Sequence, residues 1–139
     1  MTGSTWPVCL AWVGAGSALG GLARYGLDAL GGGLFAVFMA NTLGALAIGM
    51  YAVLSGPGGT LSAGSTQRLF VMPGLLGGLT SFSVFSLQAD ALLRASPAAF
   101  VGFVLGALAS WAVGVALGDV LGQRLNARLR PAGNSGSIR

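Results

Sequence analysis

The chain has 139 residues, of which 54% are hydrophobic and only 7% are charged. A soluble domain carries roughly a quarter charged residues, so these numbers exclude a free-standing soluble domain, and lipid must be the solvent for most of the chain. All the charged residues are Arg or Asp, and the sequence has one cysteine and no His. Because zinc sites and paired-carboxylate sites have almost no ligands to draw on here, and no disulfide framework is available, we expect no enzyme activity.

Charged residues divide the sequence into long uncharged runs, and about 20 apolar residues span a bilayer as an α-helix. We therefore predict an all-α integral membrane protein with spans over residues 8–27, 34–54, 69–93 and 98–121. Short connections rich in Gly, Pro or Ser, at 31–33, 55–59 and 95–97, supply the reversals between the spans. Residues 1–130 form one four-helix domain in this prediction, and the tail 131–139 is expected to be disordered.

The distribution of Arg predicts how the chain is oriented. The side that holds both termini and the second connection carries Arg68, Arg124, Arg128, Arg130 and Arg139, whereas the other side carries Arg94. Cytoplasmic segments have the excess of basic residues, so we expect both termini in the cytoplasm and the spans in the cell membrane. The net charge of +4 comes largely from this basic tail, and without a basic helical stripe interleaved with aromatics we expect no nucleic-acid partner.

Small residues recur at every fourth position of the last predicted span, namely Gly102, Gly106, Ser110, Gly114, Gly118 and Gly122. Such a face lets two helix backbones approach closely in lipid, where packing rather than hydrophobicity drives association. Gly16 and Gly20 repeat the pattern in the first span. The pattern fits a packing face, and it is also compatible with one strip that lines a narrow path.

The third predicted span is interrupted at mid-membrane depth. Pro73, Gly74, Gly77 and Gly78 are followed by hydroxyl side chains at Thr80, Ser81, Ser83 and Ser86. Non-helical backbone is tolerated in the hydrocarbon layer only where protein buries it or water reaches it, so an unbroken helix is not expected. Two interpretations remain, a Pro-kinked helix satisfied by its own hydroxyls and a broken helix whose carbonyls are free to bind a cation.

Four further side chains have a structural and a functional interpretation. Phe82 and Phe85 share one side of a helix and either pack against lipid and core or present their positive ring edges to an anion. Asn41 lies mid-span, where an amide must be hydrogen-bonded, either to another helix or to an ion in a pore. Arg24 near the end of the first span either reaches the interface or makes a pore vestibule electropositive.

These residues together resemble the small bacterial fluoride channels called Fluc or CrcB. The resemblance rests on three stretches, Gly20-Gly21-Leu-Ala-Arg24-Tyr25, Asn41-Thr-Leu-Gly44-Ala and Gly74-Leu-Leu-Gly77-Gly78-Leu-Thr80-Ser81-Phe82-Ser83-Val84-Phe85. It implies a dual-topology dimer of two antiparallel four-helix subunits, with two fluoride pores along the interface. It also implies a structural sodium ion on the two-fold axis and a passive channel that lowers cytoplasmic fluoride and its toxicity.

The resemblance also assigns roles to individual residues. The backbone carbonyls of Gly77 and Thr80 would bind the sodium ion, and oxygen donors suit such a hard cation. Facing rings in the pores would come from Phe82 and Phe85, with an amide donor from Asn41. Ser83 and Ser110 would contribute hydroxyls, and Arg24 would belong to the positive vestibule.

The sequence departs from the family pattern at several positions. Relatives often have Thr at the positions of Ser81 and Val84, a polar residue at the position of Val37 and Glu at the position of Gln88. In the last span, Gly106 and Gly114 flank Ser110 where relatives tend to have further polar side chains. Because the Arg asymmetry also favours one orientation, we hypothesise that the chain pairs with an oppositely oriented paralogue, the alternative being a homodimer.

Two other classes of function share some of these features. A small four-span exporter of cationic drugs would have a similar length, but proton-coupled export needs a carboxylate within the membrane. The sequence has no Glu, and its three acidic residues, Asp28, Asp90 and Asp119, lie near the span ends. A non-conducting assembly subunit would explain the glycine faces, but not the broken span, Asn41 and the phenylalanine pair together.

Overall fold

The computed structural model describes residues 6–129, over which the backbone consists of helices and short turns without a β-strand. In chain order the elements are α1 (Trp6–Gly31), α2 (Gly33–Ser55), α3 (Ser65–Leu69), a π-helical segment (Phe70–Leu76), α4 (Gly77–Leu79), α5 (Phe82–Ala95) and α6 (Pro97–Leu129). Arg130 and the predicted tail 131–139, which contains Arg139, lie outside the described residues.

Four helical stretches are long and apolar enough to cross a membrane. They are Trp6–Gly31, Gly33–Ser55, Ser65–Ala95 and Pro97–Leu129, the third of which combines α3, the π-helical segment, α4 and α5. The prediction of an all-α membrane protein with four spans is confirmed. The largest difference is at the end of α6, which continues past residue 121 because the polar residues that end the apolar run, such as Gln123 and Arg124, are still good helix formers.

Two of the three connections are single residues. Gly32 joins α1 to α2 with a φ of 36°, a left-handed conformation that glycine adopts without steric cost, and its N–H donates to the Asp28 carbonyl at 2.8 Å. Ser96 joins α5 to α6, and the next residue, Pro97, is the first of α6, where the missing N–H of proline costs no helical hydrogen bond. Consecutive spans at both turns are therefore held side by side.

The connection between α2 and α3 is longer and is fixed to both neighbouring helix ends. Arg68 Nη1 donates to the Ser55 carbonyl at 2.7 Å, which satisfies an orphan carbonyl at the end of α2. Asn126 near the end of α6 accepts from the Thr60 N–H at 2.8 Å through Oδ1 and donates to the Gly58 carbonyl at 3.2 Å through Nδ2. This connection is therefore ordered by side chains from outside it.

Helix α6 packs against α2 along the second half of its small-residue face. Gly114, Gly118 and Gly122 are buried, and a Cβ added at Gly118 would overlap the Leu46 carbonyl oxygen. Gly102 and Gly106 have nothing within 4 Å of an added Cβ. The packing interpretation is thus confirmed for three of the glycines, whereas the first two face open space in a single chain.

Helix α1 packs in the same way against the third span. Gly16 and Gly20 are the buried residues of α1, and an added Cβ would overlap the carbonyl oxygens of Phe70 and Leu75, respectively. These close approaches hold the π-helical segment and α4 against α1 through backbone contact, so the third span packs directly on a regular helix where it is itself irregular.

Candidate functional site

The third span changes its backbone conformation twice before the candidate site. Pro73 lies inside the π-helical segment, as expected because proline lacks the N–H that a regular α-helix uses and crowds the preceding turn. Thr80 (φ −81°, ψ 148°) and Ser81 (φ −143°, ψ 109°) are then extended, between the end of α4 and the start of α5. The predicted break is confirmed, and it falls at these two residues.

Asn41 on α2 forms a reciprocal pair of hydrogen bonds with the broken backbone. Its Oδ1 accepts from the Ser81 N–H at 2.8 Å, and its Nδ2 donates to the Ser81 carbonyl at 3.3 Å. Asn41 is 6% exposed, so both groups are paired where water is scarce. This is the interhelical interpretation of Asn41, and it uses one of the two amide hydrogens.

Ser81 also caps the helix that follows it. Its hydroxyl accepts from the Val84 N–H at 3.2 Å and lies 3.2 Å from the Ser83 hydroxyl. A serine at this position satisfies one of the orphan donors of the first helical turn. From the sequence, Ser81 is one of the hydroxyls of the interrupted span and a departure from the family pattern, but its role as a cap was not predicted, although a serine directly before the run Phe82-Ser83-Val84-Phe85 is itself a helix-start signal.

These two interactions leave the carbonyls of Gly77 and Thr80 without their usual donors. In a continuous α-helix each carbonyl accepts from the N–H four residues later. The Ser81 N–H would bond the Gly77 carbonyl, but it donates to Asn41 instead. The Val84 N–H would bond the Thr80 carbonyl, but it donates to the Ser81 hydroxyl.

The break opens onto an apolar groove of about 640 Å³ on the outside of the chain. Side chains from α2, the third span and α6 line it, and the lining includes Asn41, Gly77, Thr80, Ser81, Phe82 and Trp111. Thr80 fits beside α2 because Gly44 has no side chain, and an added Cβ there would overlap the Thr80 Cγ2. Residues from three separate stretches of sequence thus converge on one surface.

Phe82 and Phe85 lie next to each other but in different environments. Their ring centroids are 5.7 Å apart, in agreement with the expected shared side of α5. Phe82 is 70% exposed, whereas Phe85 is 5% exposed and contacts Phe103 and Trp111 at centroid distances of 5.2 and 4.9 Å. One ring is therefore presented at the groove and the other is held in the core.

The remaining predicted site residues are more dispersed. Ser110 Oγ donates to the Ala107 carbonyl at 2.8 Å and lies 3.1 Å from Thr42 Oγ1, so it joins α6 to α2. Ser83 is exposed at the start of α5. Arg24 on α1 is not among the residues that line the groove, and its Nε is shielded from solvent with no hydrogen-bond partner among the described residues.

Comparison with known proteins identifies the family. The model of the family described as CrcB-like protein, Camphor Resistance (CrcB), matches residues 11–122, which include α2, the break and the phenylalanine pair. The chain belongs to the CrcB-like family. The CrcB-like match thus covers every residue that the structure brings to the groove.

Curated members of the CrcB-like family are similar over most of their length. The chain is 41% identical over 121 residues to "Fluoride-specific ion channel FluC 1" of Bradyrhizobium diazoefficiens, covering 84% of this chain and 85% of the relative. It is 44% identical over 123 residues to the protein of that name from Rhodopseudomonas palustris, covering 84% and 87%. It is 37% identical over 122 residues to "Fluoride-specific ion channel FluC" of Opitutus terrae, covering 83% and 92%.

Proposed function

We propose that this chain is a subunit of a fluoride-specific, passive ion channel that lowers cytoplasmic fluoride. The observation that carries the proposal is the convergence of Asn41, Ser81 and Phe82 on one groove, in a chain 41% identical to a relative named as a fluoride-specific ion channel. Since curated relatives in its family bear the name of a channel, the chain is assigned to ion conduction and not to catalysis.

A single chain supplies only one wall of such a path. Phe82 is 70% exposed, and the groove beside it is open to the outside of the chain, where lipid would be the neighbour. An anion next to hydrocarbon is costly, so a second protein surface has to close the groove. An antiparallel partner, either a second copy or a paralogous subunit, would bring a second Phe82 side chain and a second helix break to the same interface.

The residues at the break fit a structural sodium ion. Gly77 and Thr80 line the groove, and their carbonyls lack the donors that a continuous helix would give them because Asn41 and the Ser81 hydroxyl take those N–H groups. Two carbonyls from each of two subunits would supply four oxygen ligands, the donor type that a hard cation prefers. Bound there, sodium would add a fixed positive charge at the centre of the assembly.

The same surface offers weak donors to an anion. Asn41 keeps one amide hydrogen that its bonds to Ser81 do not use, Ser83 is exposed beside the Ser81 hydroxyl, and ring edges carry partial positive charge. Fluoride is strongly hydrated, so a selective path must replace its water with several donors and still release it. Arg24, on the neighbouring helix, would raise the positive potential at one entrance.

Conduction would be driven by the membrane potential, which is worth about 2.3 kcal/mol per elementary charge at 100 mV. The four spans make the chain a multi-pass membrane protein. We propose the cell membrane as its location, because a channel that removes fluoride from the cytoplasm must lie in the membrane that encloses it. The excess of Arg on the side of the termini favours a cytoplasmic position for both ends in a chain of single orientation.

Fluoride efflux from liposomes tests the proposal. Purified protein is reconstituted, a potassium ionophore clamps the potential, and external fluoride is followed with an electrode while chloride is measured in parallel. Fast fluoride loss without chloride loss is the expected result for a self-sufficient homodimer, whereas a subunit of a paired channel conducts only after co-reconstitution with its paralogue. Equal loss of both anions, or no fluoride loss in either preparation from folded protein, would overturn it.

A further inference from the structure

Trp111 on α6 has an indole N–H without an assigned role. Its Nε1 is shielded from solvent and has no hydrogen-bond partner among residues 6–129. The indole N–H can only donate, and a buried donor without an acceptor is costly. Such a group in a native structure calls for an explanation, such as an ion or an ordered water.

The surroundings of Trp111 place it at the proposed anion path. Its side chain lines the groove together with Asn41 and Phe82, and its ring meets the Phe85 ring edge-to-face at a centroid distance of 4.9 Å and an interplanar angle of 68°. The indole ring therefore belongs to the same aromatic cluster as Phe85 and lines the same groove as Phe82, although it comes from a different helix.

Other donors on this part of α6 are already used. The Ser110 hydroxyl hydrogen is directed at the Ala107 carbonyl at 2.8 Å, which leaves Thr42 as the donor in the 3.1 Å contact between their hydroxyls. Gly106 and Gly114, one helical turn to either side of Ser110, have no side chains to offer. Ser110 could donate to an anion only by breaking its hydrogen bond to the Ala107 carbonyl, whereas Trp111 Nε1–H has no hydrogen bond to a described residue that would have to break.

We propose that Trp111 Nε1–H is the anion donor that α6 contributes to the fluoride path. This inference rests on the proposed fluoride function and adds to it a donor that no comparison assigns. The indole is neutral, so it would hold fluoride through one charge-assisted hydrogen bond without fixing it as tightly as a buried guanidinium. Phe85, packed against the indole, would keep the ring in place.

The first test is the variant Trp111→Phe, which removes the N–H and keeps an aromatic ring against Phe85. We expect its fluoride efflux to fall about tenfold, the effect of losing one hydrogen bond to a charged group, with dimerisation and thermal unfolding unchanged. Trp12→Phe is the matched control, because Trp12 packs edge-to-face on Phe70 and does not line the groove, and this variant should conduct as the wild type does. A Trp111→Phe protein with wild-type efflux overturns the inference and leaves the fluoride function standing.

The second test reads the N–H directly. The chain has 3 tryptophans, so protein labelled with ¹⁵N at the indole should give a small set of signals, and the one absent from Trp111→Phe belongs to Trp111. We expect sodium fluoride to move that signal downfield and sodium chloride to leave it in place. A signal insensitive to fluoride overturns the proposal even in protein that conducts nothing. It would mean that the N–H faces the Phe85 ring or a carbonyl of the second subunit, in which case Trp111→Phe would change stability or dimerisation instead.

Discussion

The side chain of Asn41 pairs with the backbone of Ser81 as a neighbouring β-strand would, accepting from its N–H at 2.8 Å and donating to its carbonyl at 3.3 Å. An extended residue inside a membrane span has no helical partners for these groups, and water is not available to replace them. One amide on α2 therefore makes the interruption of the third span tolerable.

Replacement of Asn41 by Ala should weaken sodium binding as well as fluoride flux. The Ser81 N–H would lose its acceptor and would be free to bond the Gly77 carbonyl, which would remove a sodium ligand. We expect the sodium concentration that half-maximally raises the unfolding temperature to increase about tenfold, since a competing hydrogen bond worth about 1.4 kcal/mol would have to break before the Gly77 carbonyl could bind the ion. Asn126→Ala is the control, because Asn126 also bonds backbone groups but at the α2–α3 connection. Equal sodium dependence in Asn41→Ala and the wild type would separate Asn41 from the cation site.

Removal of the Ser81 hydroxyl should destabilise the protein modestly. Ser81→Ala takes away the acceptor of the Val84 N–H, and loss of such a helix cap costs about 1 kcal/mol. Ser81→Thr keeps the oxygen and should unfold at the wild-type temperature. Thermal unfolding in detergent measures both, and a Ser81→Ala protein as stable as Ser81→Thr would show that water or a neighbour replaces the cap.

The two phenylalanines should respond differently to the same substitution. Phe82→Ile should reduce fluoride efflux with little change in stability, because Phe82 is 70% exposed. Phe85→Ile should reduce efflux and also lower stability by about 1–3 kcal/mol, because its buried ring packs against two other aromatic rings and a smaller side chain would leave a cavity there. Efflux and unfolding are measured on the same preparations. Wild-type efflux from both variants would favour a non-conducting assembly role.

The variant Gly118→Ala should lower the stability of the protein, because α6 packs closely on α2 at this residue. A Cβ there would overlap the Leu46 carbonyl oxygen, and backbone shifts that relieve such overpacking cost about 1–3 kcal/mol. Gly14→Ala is the matched control, since nothing lies within 4 Å of a Cβ at Gly14, and it should unfold no earlier than the wild type. Equal unfolding temperatures for Gly118→Ala and Gly14→Ala would contradict this prediction.

The orientation bias can be measured by cysteine labelling in intact cells. In a background with Cys9→Ala, Ser62→Cys marks the α2–α3 connection and Ala95→Cys marks the α5–α6 turn. If the chain has one orientation, a membrane-impermeant maleimide should label Ala95→Cys and leave Ser62→Cys unlabelled until the cells are permeabilised. Comparable labelling of both positions would contradict the paralogue hypothesis and favour a homodimer of opposite orientations.

Much of the fold is predictable from the sequence because lipid restricts the choices. Apolar runs of about 20 residues have the length of a spanning helix, which satisfies its own backbone groups in lipid. The turns at Gly32 and at Ser96-Pro97 follow from the local conformational preferences of those residues. The position of the break in the third span also follows from local composition. The length of α6 does not, because hydropathy marks the end of the apolar run and not the end of the helix.

The site is less predictable because its contacts join distant residues. Asn41 and Ser81 are 40 residues apart, and Thr42 and Ser110 are 68 apart, so neither pair is visible in a local pattern. Ser110 looks like a free hydroxyl in the sequence, but the fold gives it two partners. In the sequence, Trp111 is one more apolar residue of α6. Only the structure shows that it packs against Phe85 at the groove and that its N–H has no partner among the described residues.

The π-helical segment sets the direction in which the rest of the third span faces. A π-helix turns through a smaller angle per residue than an α-helix, since its hydrogen bonds close one residue later. Residues after Leu76 are therefore rotated about the span axis relative to a regular helix, and Ser81 meets Asn41 from this rotated position. A single-residue deletion between Phe70 and Leu76 would allow the segment to relax to α-helix with the later residues still in phase, whereas the same deletion between Gly77 and Thr80 would have no slack to absorb it. Single-residue deletions should therefore be tolerated within Phe70–Leu76 and should abolish conduction between Gly77 and Thr80.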